Sequence, residues 1–417
     1  MNDLNFEPFD PTFLNDSLAY CARLRDNAPI YRSPQGYWVV TRHEDVQRIM
    51  GDSVNFSNAM GGEETMSLGK SISSTIPIAE INAEMPVDLE ELMAASLIVA
   101  TDNPKHGELR RVVNRAFLPN RLAQWREHTS ALVDQLLADV SPDQPWEVNS
   151  TLAVPLPVSV ICAILGVEPS DGKHIKHWSD VIINAANGAN RNTEDSMLEM
   201  VHMLRDFSKY FGPIIAKRRT EPGTDVISDL VRAEEKETLT EVDTLMFILA
   251  LMVAGNETST SLLGNLIVSL LENPDQLELL QKDPSLMPGA IEEALRYRSP
   301  VQFLIRTPFK EIELHGETLR AGEPMCMMMA SANRDPRKFP DPDRFDITRN
   351  AKGHMAFGQG IHFCIGAQLS RAEIGAAMTR LLPDLHRWKL SDTPLQRLPA
   401  TLVYGYQRIE LVPRQLN

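Results

Sequence analysis

Along this chain apolar positions recur every three or four residues far more often than every second one, the period of helices with one buried face. The pattern predicts helices over Ser17 to Asn27, Lys105 to Ala116, Arg121 to Asp139, Thr193 to Arg219, Glu241 to Leu271, Pro288 to Arg298 and Ala367 to Leu382. Proline after Glu272-Asn273 and after Ser299 marks where two of them stop. Strand-like runs are short, at Tyr37 to Thr41, about Phe303 to Met327, and Leu402 to Val412. The expected fold class is mainly α with a minor β region. No repeat, low-complexity tract or Gly/Ser linker interrupts the chain, so a single domain over residues 1–417 is expected, although the length could hold about three. Ser57 to Asp102 stands apart, with Met60, Met66, Met85 and Met93 among acids and no sustained period. A segment of that length without a period is expected to be a lid over a functional site.

Leu245 to Val253 is apolar on all sides, which places the longest predicted helix in the interior. Neither this run nor Ala153 to Val167 reaches the roughly 20 residues that span a bilayer, and the first residues show no basic stretch followed by an apolar one. No membrane anchor and a cytoplasmic location are expected. The 56 acidic against 41 basic residues give a net charge of −15, which opposes nucleic-acid binding. Cys21, Cys162, Cys326 and Cys364 lie far apart with no C-x-x-C pair, excluding a disulfide framework or a zinc ribbon.

The densest chemistry lies in Phe357-Gly-Gln-Gly-Ile-His-Phe-Cys364-Ile-Gly366. Its glycines let the backbone turn tightly against something flat, and the helix beginning after Gly366 directs its positive end at Cys364, which favours a thiolate. The residues alone leave two readings, a metal-binding thiolate loop or a buried structural cysteine beside a turn. Zinc is a weaker rival, because His362 and Cys364 lack a further ligand pair. On the central helix, Ala254-Gly-Asn-Glu257-Thr258-Ser259 sets an acid and an alcohol in apolar surroundings. Thr258 either bonds back to a carbonyl one turn earlier or, beside Gly255, opens a groove where it and Glu257 hold water and pass protons. Glu293 and Arg296 stand at i, i+3 on another helix, a spacing worth only a few tenths of a kcal/mol if exposed. From Pro104 to Arg126 six basic residues face one acid, an island in an acidic chain.

Together these segments resemble the cytochrome P450 family. Phe357 to Gly366 matches its haem signature F-G-x-G-x-H-x-C-x-G, Ala254 to Ser259 its A-G-x-[DE]-T-T element, and Glu293 with Arg296 its E-x-x-R pair. Asp102-Asn-Pro-Lys-His106 through Arg110 is similar to its D-P-P-x-H-x-x-x-R. The resemblance implies the P450 fold, with haem b (iron protoporphyrin IX) between the long central helix and the cysteine-loop helix. It implies Cys364 as the iron ligand, with Phe357, Gly358 and Gly366 shaping the loop. His106, Arg110, Arg306 and His362 are the implied partners of the haem propionates, a role that suits the bidentate fork of arginine. Glu257 and Thr258 become the catalytic proton-delivery pair, and Glu293 and Arg296 a structural lock with Arg344 as third partner.

The implied activity is a monooxygenase that inserts one oxygen atom from O2 into a C–H bond of a small hydrophobic substrate. No electron-transfer module is visible, so electrons are expected from an external acidic ferredoxin and its reductase, docking near Lys105, Arg111 and Arg115. Substrate contacts are expected at Ala250, Val253, Ala254, Gln302, Phe303, Leu402 and Val403, apolar except for Gln302. A monomer is expected. A peroxygenase of the same fold tends to lack the acid–alcohol pair, and a haem-binding sensor needs neither that pair nor a large apolar pocket.

Overall fold

Glu241–Glu272, which contains the run apolar on all sides, forms one 32-residue helix through the middle of the molecule. A capping box starts it: Asp243 N–H donates to the Thr240 hydroxyl at 3.1 Å, and Thr240 N–H donates to the Asp243 carboxylate at 2.9 Å. The computed structural model describes residues 5–58, 78–95, 97–186, 194–234, 236 and 239–414. By length and composition this helix could cross a membrane, contrary to the expectation from shorter runs. Yet 72% of its apolar window is buried in the protein, as befits a core helix.

In chain order the described helices are α1 (Ser17–Asn27), α2 (His43–Gly51), α3 (Ile78–Asn82), α4 (Leu89–Ala94), α5 (Lys105–Val113), α6 (Pro119–Leu136), α7 (Pro155–Leu165) and α8 (Gly172–Ala186). They continue as α9 (Glu194–Thr220), α10 (Val226–Glu234), α11 (Glu241–Glu272), α12 (Pro274–Lys282), α13 (Met287–Tyr297), α14 (Met329–Ala332) and α15 (Ala367–Leu381). Helices α7, α8, α10, α13 and α15 pack on α11, and α15 also lies along α6. The period marks α1, α5, α6, α9, α11, α13 and α15 but passes over the other described helices. The reason is visible in α7, which is buried almost all round and so has no stripe, and in α10 and α12, whose nine residues give too short a window.

The strands β1 (Ile30–Arg32), β2 (Trp38–Val40), β3 (Phe56–Ser57), β5 (Leu304–Pro308) and β8 (Met325–Met327) form one sheet in the order β1-β2-β8-β5-β3, while β4 (Trp146–Glu147) belongs to a second. Parallel pairing of Trp38, Val39 and Val40 with Met325, Cys326 and Met327 joins segments far apart in the chain. Both strands are buried along their length, so they read as continuous apolar runs instead of alternating ones. The hairpin of β6 (Ile312–Leu314) and β7 (Glu317–Leu319) turns on His315-Gly316, both at positive φ, while β9 (Trp388–Leu390) and β10 (Glu410–Pro413) complete the sheet of β4. Leu402 to Val412 is therefore a strand only at its end, with isolated bridges from Val403 to Val301 and from Tyr406 to Arg397. In the long segment Ser57 to Asp102, residues 59–77 and 96 lie outside the described residues. The described remainder includes α3 and α4, the latter capped by Asp88, which accepts from the N–H groups of Glu90 and Glu91.

Candidate active site at the cysteine loop

Gly358 and Gly360 both take positive φ, and a Cβ on Gly360 would lie 3.0 Å from the Met50 carbonyl oxygen, so the loop needs glycine there to fold against α2. Across the loop, Cys364 N–H donates to the Phe357 carbonyl at 2.9 Å. Although Cys364 is exposed, the protein packed around it partly excludes water and pushes the thiol up, while the N–H groups of Gly366 and Ala367 and the charges of Arg110 and Arg371 pull it down. The other cysteines are buried, with Cys21 pushed up to about 12 and Cys162 to about 11, whereas Cys364 is exposed. Among the described residues no group of three or more His, Cys, Asp or Glu could hold a metal ion.

The opposite wall comes from α11. Ala254 is exposed and Leu251 and Thr258 are half-buried, although the helix runs through the core. These three sit at i, i+3 and i+7, one face of the helix, and exposure inside a core means an internal void. The Ser259 hydroxyl lies 3.4 Å from that of Ser370, which brings the first turn of α15 beside the Thr258 turn. Thr258 does bond back, donating to the Ala254 carbonyl at 2.6 Å, so its oxygen lone pairs remain as acceptors. Helix α11 runs on unbroken through Gly255. That glycine permits a close approach of α7, since a Cβ there would lie 3.0 Å from Ile161 Cδ1. Glu257 points toward α8, 4.0 Å from Lys176 Nζ, and Lys176 in turn binds Asp180. Burial pushes the Glu257 carboxyl up, with Lys176 acting against it.

His106, Arg306 and His362 converge without a matching anion. The rings of His106 and His362 lie 4.1 Å apart, and Nε2 of each, with Arg306 Nη2, is buried and has no hydrogen-bond partner. Burial and the neighbouring His106 and Arg306 push His362 down to about 3, and burial pushes Arg306 down to about 10. Asp102 is the carboxylate that reaches both, and it is already engaged by Ser57 and Asn58. Buried donors left unpaired are costly, and a pair of carboxylates would satisfy them, so these residues fit haem propionates. Arg110 instead donates to the Phe363 carbonyl at 2.6 Å and sits at the mouth of this cluster, beside the cysteine.

Glu293 and Arg296 are fully buried and joined by two bonds of 2.8 Å. Arg296 also donates to the carbonyls of Asn333, Pro342 and Arg344. The expected third partner needs correction: the Arg344 side chain is exposed, and the guanidinium that reaches Glu293 belongs to Arg349, at 3.3 Å. Arg349 is held there by donating to the carbonyls of Asp341 at 2.9 Å and Arg344 at 3.2 Å.

Two further expectations change. Phe303 packs edge-on against Phe9 at 5.1 Å in the N-terminal cluster, where Leu402 also packs, and Gln302 donates to the Ser299 carbonyl at 2.6 Å. Along β5 successive side chains alternate, so Leu304, two residues before Arg306, shares the face of the cation cluster in place of Phe303. Ala250 and Val403 are buried and Val253 half-buried, leaving Ala254 as the named position that opens on the void. In the basic island, Lys105 is tied to Asp243 at 2.7 Å and Arg121 to Asp229, so the exposed charges are Arg111, Arg115 and Arg126.

Glu373 was not singled out from the sequence. It is the lone acid in the stripe Leu369, Glu373, Ala377, Leu381 of α15, a break in helical apolar spacing that could have flagged it. Burial pushes its carboxyl up to about 8, with the Ser259 hydroxyl pulling against this, and Oε2 has no partner. Between the ordinary carboxylate range and about 8 the unfolded chain has released this proton and the folded one has not, so stability falls as pH rises through that window. Glu373→Gln is expected to flatten that fall by on the order of a few kcal/mol at pH 8. Urea unfolding at stepped pH checks it, and parallel curves for the two proteins would refute it.

The family model described as Cytochrome P450 matches residues 87–403. Cytochrome P450 107B1 of Saccharopolyspora erythraea is 35% identical over 415 residues, covering 97% of both chains. Vitamin D(3) 25-hydroxylase of Pseudonocardia autotrophica is 34% identical over 410 residues, covering 96% of this chain and 94% of that one. Among solved structures, CYP109E1 from Bacillus megaterium in complex with corticosterone superposes with a TM-score of 0.80 at 32% identity, covering 95% of this chain and 98% of the other.

Proposed function

The chain belongs to the cytochrome P450 family of haem-dependent monooxygenases, and from that premise we propose that it oxygenates a C–H bond of a rigid, steroid-sized hydrophobic molecule, using O2 and an external acidic ferredoxin with its reductase. The observation that carries this reading is the exposed Cys364 thiol together with the exposed face of Leu251, Ala254 and Thr258, all inside the protein.

Haem is the cofactor of the family. Cys364 would hold its iron on the loop shaped by Phe357, Gly358 and Gly366, and His106, Arg110, Arg306 and His362 would take its propionates. When bound, haem supplies O2 activation, with electron donation from the thiolate favouring O–O cleavage. Leu251, Ala254 and Leu304 form apolar walls that exclude water and hold a hydrophobic guest. Thr258, its own proton engaged by Ala254, accepts a hydrogen bond from water and fixes that water at the void. Glu257, with its raised affinity for protons, takes them up from the Lys176 and Asp180 side and refills that water. The vitamin D(3) 25-hydroxylase and the corticosterone-bound relative support a steroid-sized guest. Exposed Arg111 and Arg115, near Arg110 and its partner Phe363, offer the ferredoxin a basic landing next to the cysteine. Residues 1–417 act as one monomeric domain in the cytoplasm.

Thr258→Ala tests the proton role with corticosterone or vitamin D3 as the probe. Either guest is expected to shift the Soret band of the wild type, and the variant should keep that shift. Product formed per electron pair should fall by about tenfold or more while O2 consumption continues. Unchanged coupling would remove Thr258 from proton handling, and a Soret band indifferent to both guests would remove the steroid-sized substrate.

A further inference from the structure

A group of charged side chains outside the machinery above is built against the cysteine loop. Glu292 of α13 accepts two bonds from Arg371 of α15, at 2.6 Å from Nε and 3.0 Å from Nη2, and a third from His354 Nε2 at 3.0 Å. Burial pushes the Glu292 carboxyl up, but the bonds from Arg371 and His354 outweigh it and hold the group down at about 2. The other ring nitrogen of His354, Nδ1, accepts the Ala356 N–H at 3.2 Å, which assigns the ring proton to Nε2 and aims it at the carboxylate. The cluster lines a recess of about 440 Å³ beside the loop.

Its contacts end on Phe357. The Arg371 guanidinium lies over that ring, 4.5 Å from its centre, and the His354 ring is 5.9 Å away. The Phe357 carbonyl in turn accepts the Cys364 N–H. The charges of Arg371 and Arg110 both pull the Cys364 thiol down. Arg110 has no ion-pair partner among the described residues, whereas Arg371 is neutralised by the two-pronged bond to Glu292.

We infer that Glu292 is a positioning residue that sets the charge felt at the cysteine ligand, by offsetting Arg371 and holding it, with His354, against Phe357. The inference rests on Cys364 as the proximal haem ligand. Charges near a metal thiolate tune its electron affinity, so the effect is carried by reduction potential and not by fold alone.

The experiment is a spectroelectrochemical titration of the haem-loaded protein and its variants, with the reduced carbon monoxide spectrum recorded on each. Glu292→Gln leaves Arg371 unopposed, which favours the reduced state, and should raise the midpoint potential. Arg371→Gln leaves Glu292 unopposed and should lower it. The double variant removes both charges and should return near the wild-type value, a non-additivity expected of a coupled pair. Glu292→Asp and Arg371→Lys keep the charges and should stay close to wild type. Shifts of the same sign in the two single charge-removing variants, or no shift, would overturn the inference. So would loss of the thiolate spectrum in the charge-conserving variants, which would make the cluster purely structural. Should Glu292→Gln fail to retain haem, the double variant decides, since a potential displaced from wild type counts against offsetting charges. A wild type without the thiolate spectrum would sink the ligand assignment itself, a result distinct from all of these.

Discussion

Cys364→Ser is expected to abolish oxygenation and to move the Soret band of the reduced carbon monoxide complex from its strongly red-shifted place to that of an ordinary haem. Serine matches the thiol in size and can accept the same N–H groups of Gly366 and Ala367, so the loop should keep its shape. What disappears is the soft, electron-donating ligand. The other cysteines cannot substitute, because Cys21, Cys162 and Cys326 are buried elsewhere in the core. The comparison therefore isolates ligand chemistry from folding. A variant that kept the red-shifted band would remove Cys364 from the iron, and with it the mechanism proposed above.

Glu293→Ala should produce the largest loss of stability, about 3–5 kcal/mol, because it strands the Arg296 guanidinium in a fully buried position. Total stabilities of domains are about 5–15 kcal/mol, so the protein should express poorly and retain little haem. Part of the loss comes from the chain that Glu293 organises, since it also accepts from Asp346 N–H and from Arg349. Arg344→Ala is the matched control. Arg344 contributes only its backbone carbonyl to the lock, and its exposed side chain should change stability by no more than about 0.5 kcal/mol. Thermal unfolding and haem content of the two variants check the pair. Equal losses would reinstate Arg344, and a near-native Glu293→Ala would deny the lock.

The sequence by itself determined the class of the molecule and the residues at its centre. The bounds expected for α1, α11 and α15 agree with the structure within a residue, and local signals such as the proline after Asn273 mark where α11 ends. The glycine-spaced cysteine loop was equally legible, since tight turns, a helix start and a thiol within ten residues are local features. So were Glu293 with Arg296, and His106 with Arg110, whose helical spacings are short. Tertiary structure alone decided what depends on direction. It showed that Phe303 and Leu402 turn to the N-terminal cluster while Leu304 points to the other side of the strand, a matter of alternation that composition does not record. It selected Arg349 over Arg344, because the Arg349 guanidinium reaches Glu293 while the Arg344 side chain is exposed. Lys105 was paired with Asp243, 138 residues away, cancelling a charge that looked free. Glu292, His354, Arg371 and Phe357 were likewise brought together from three separate segments, and Glu373 was buried. Periodicity and motif are properties of neighbours along the chain, whereas charge compensation and burial are set by residues far apart in sequence, and those only folding brings into contact.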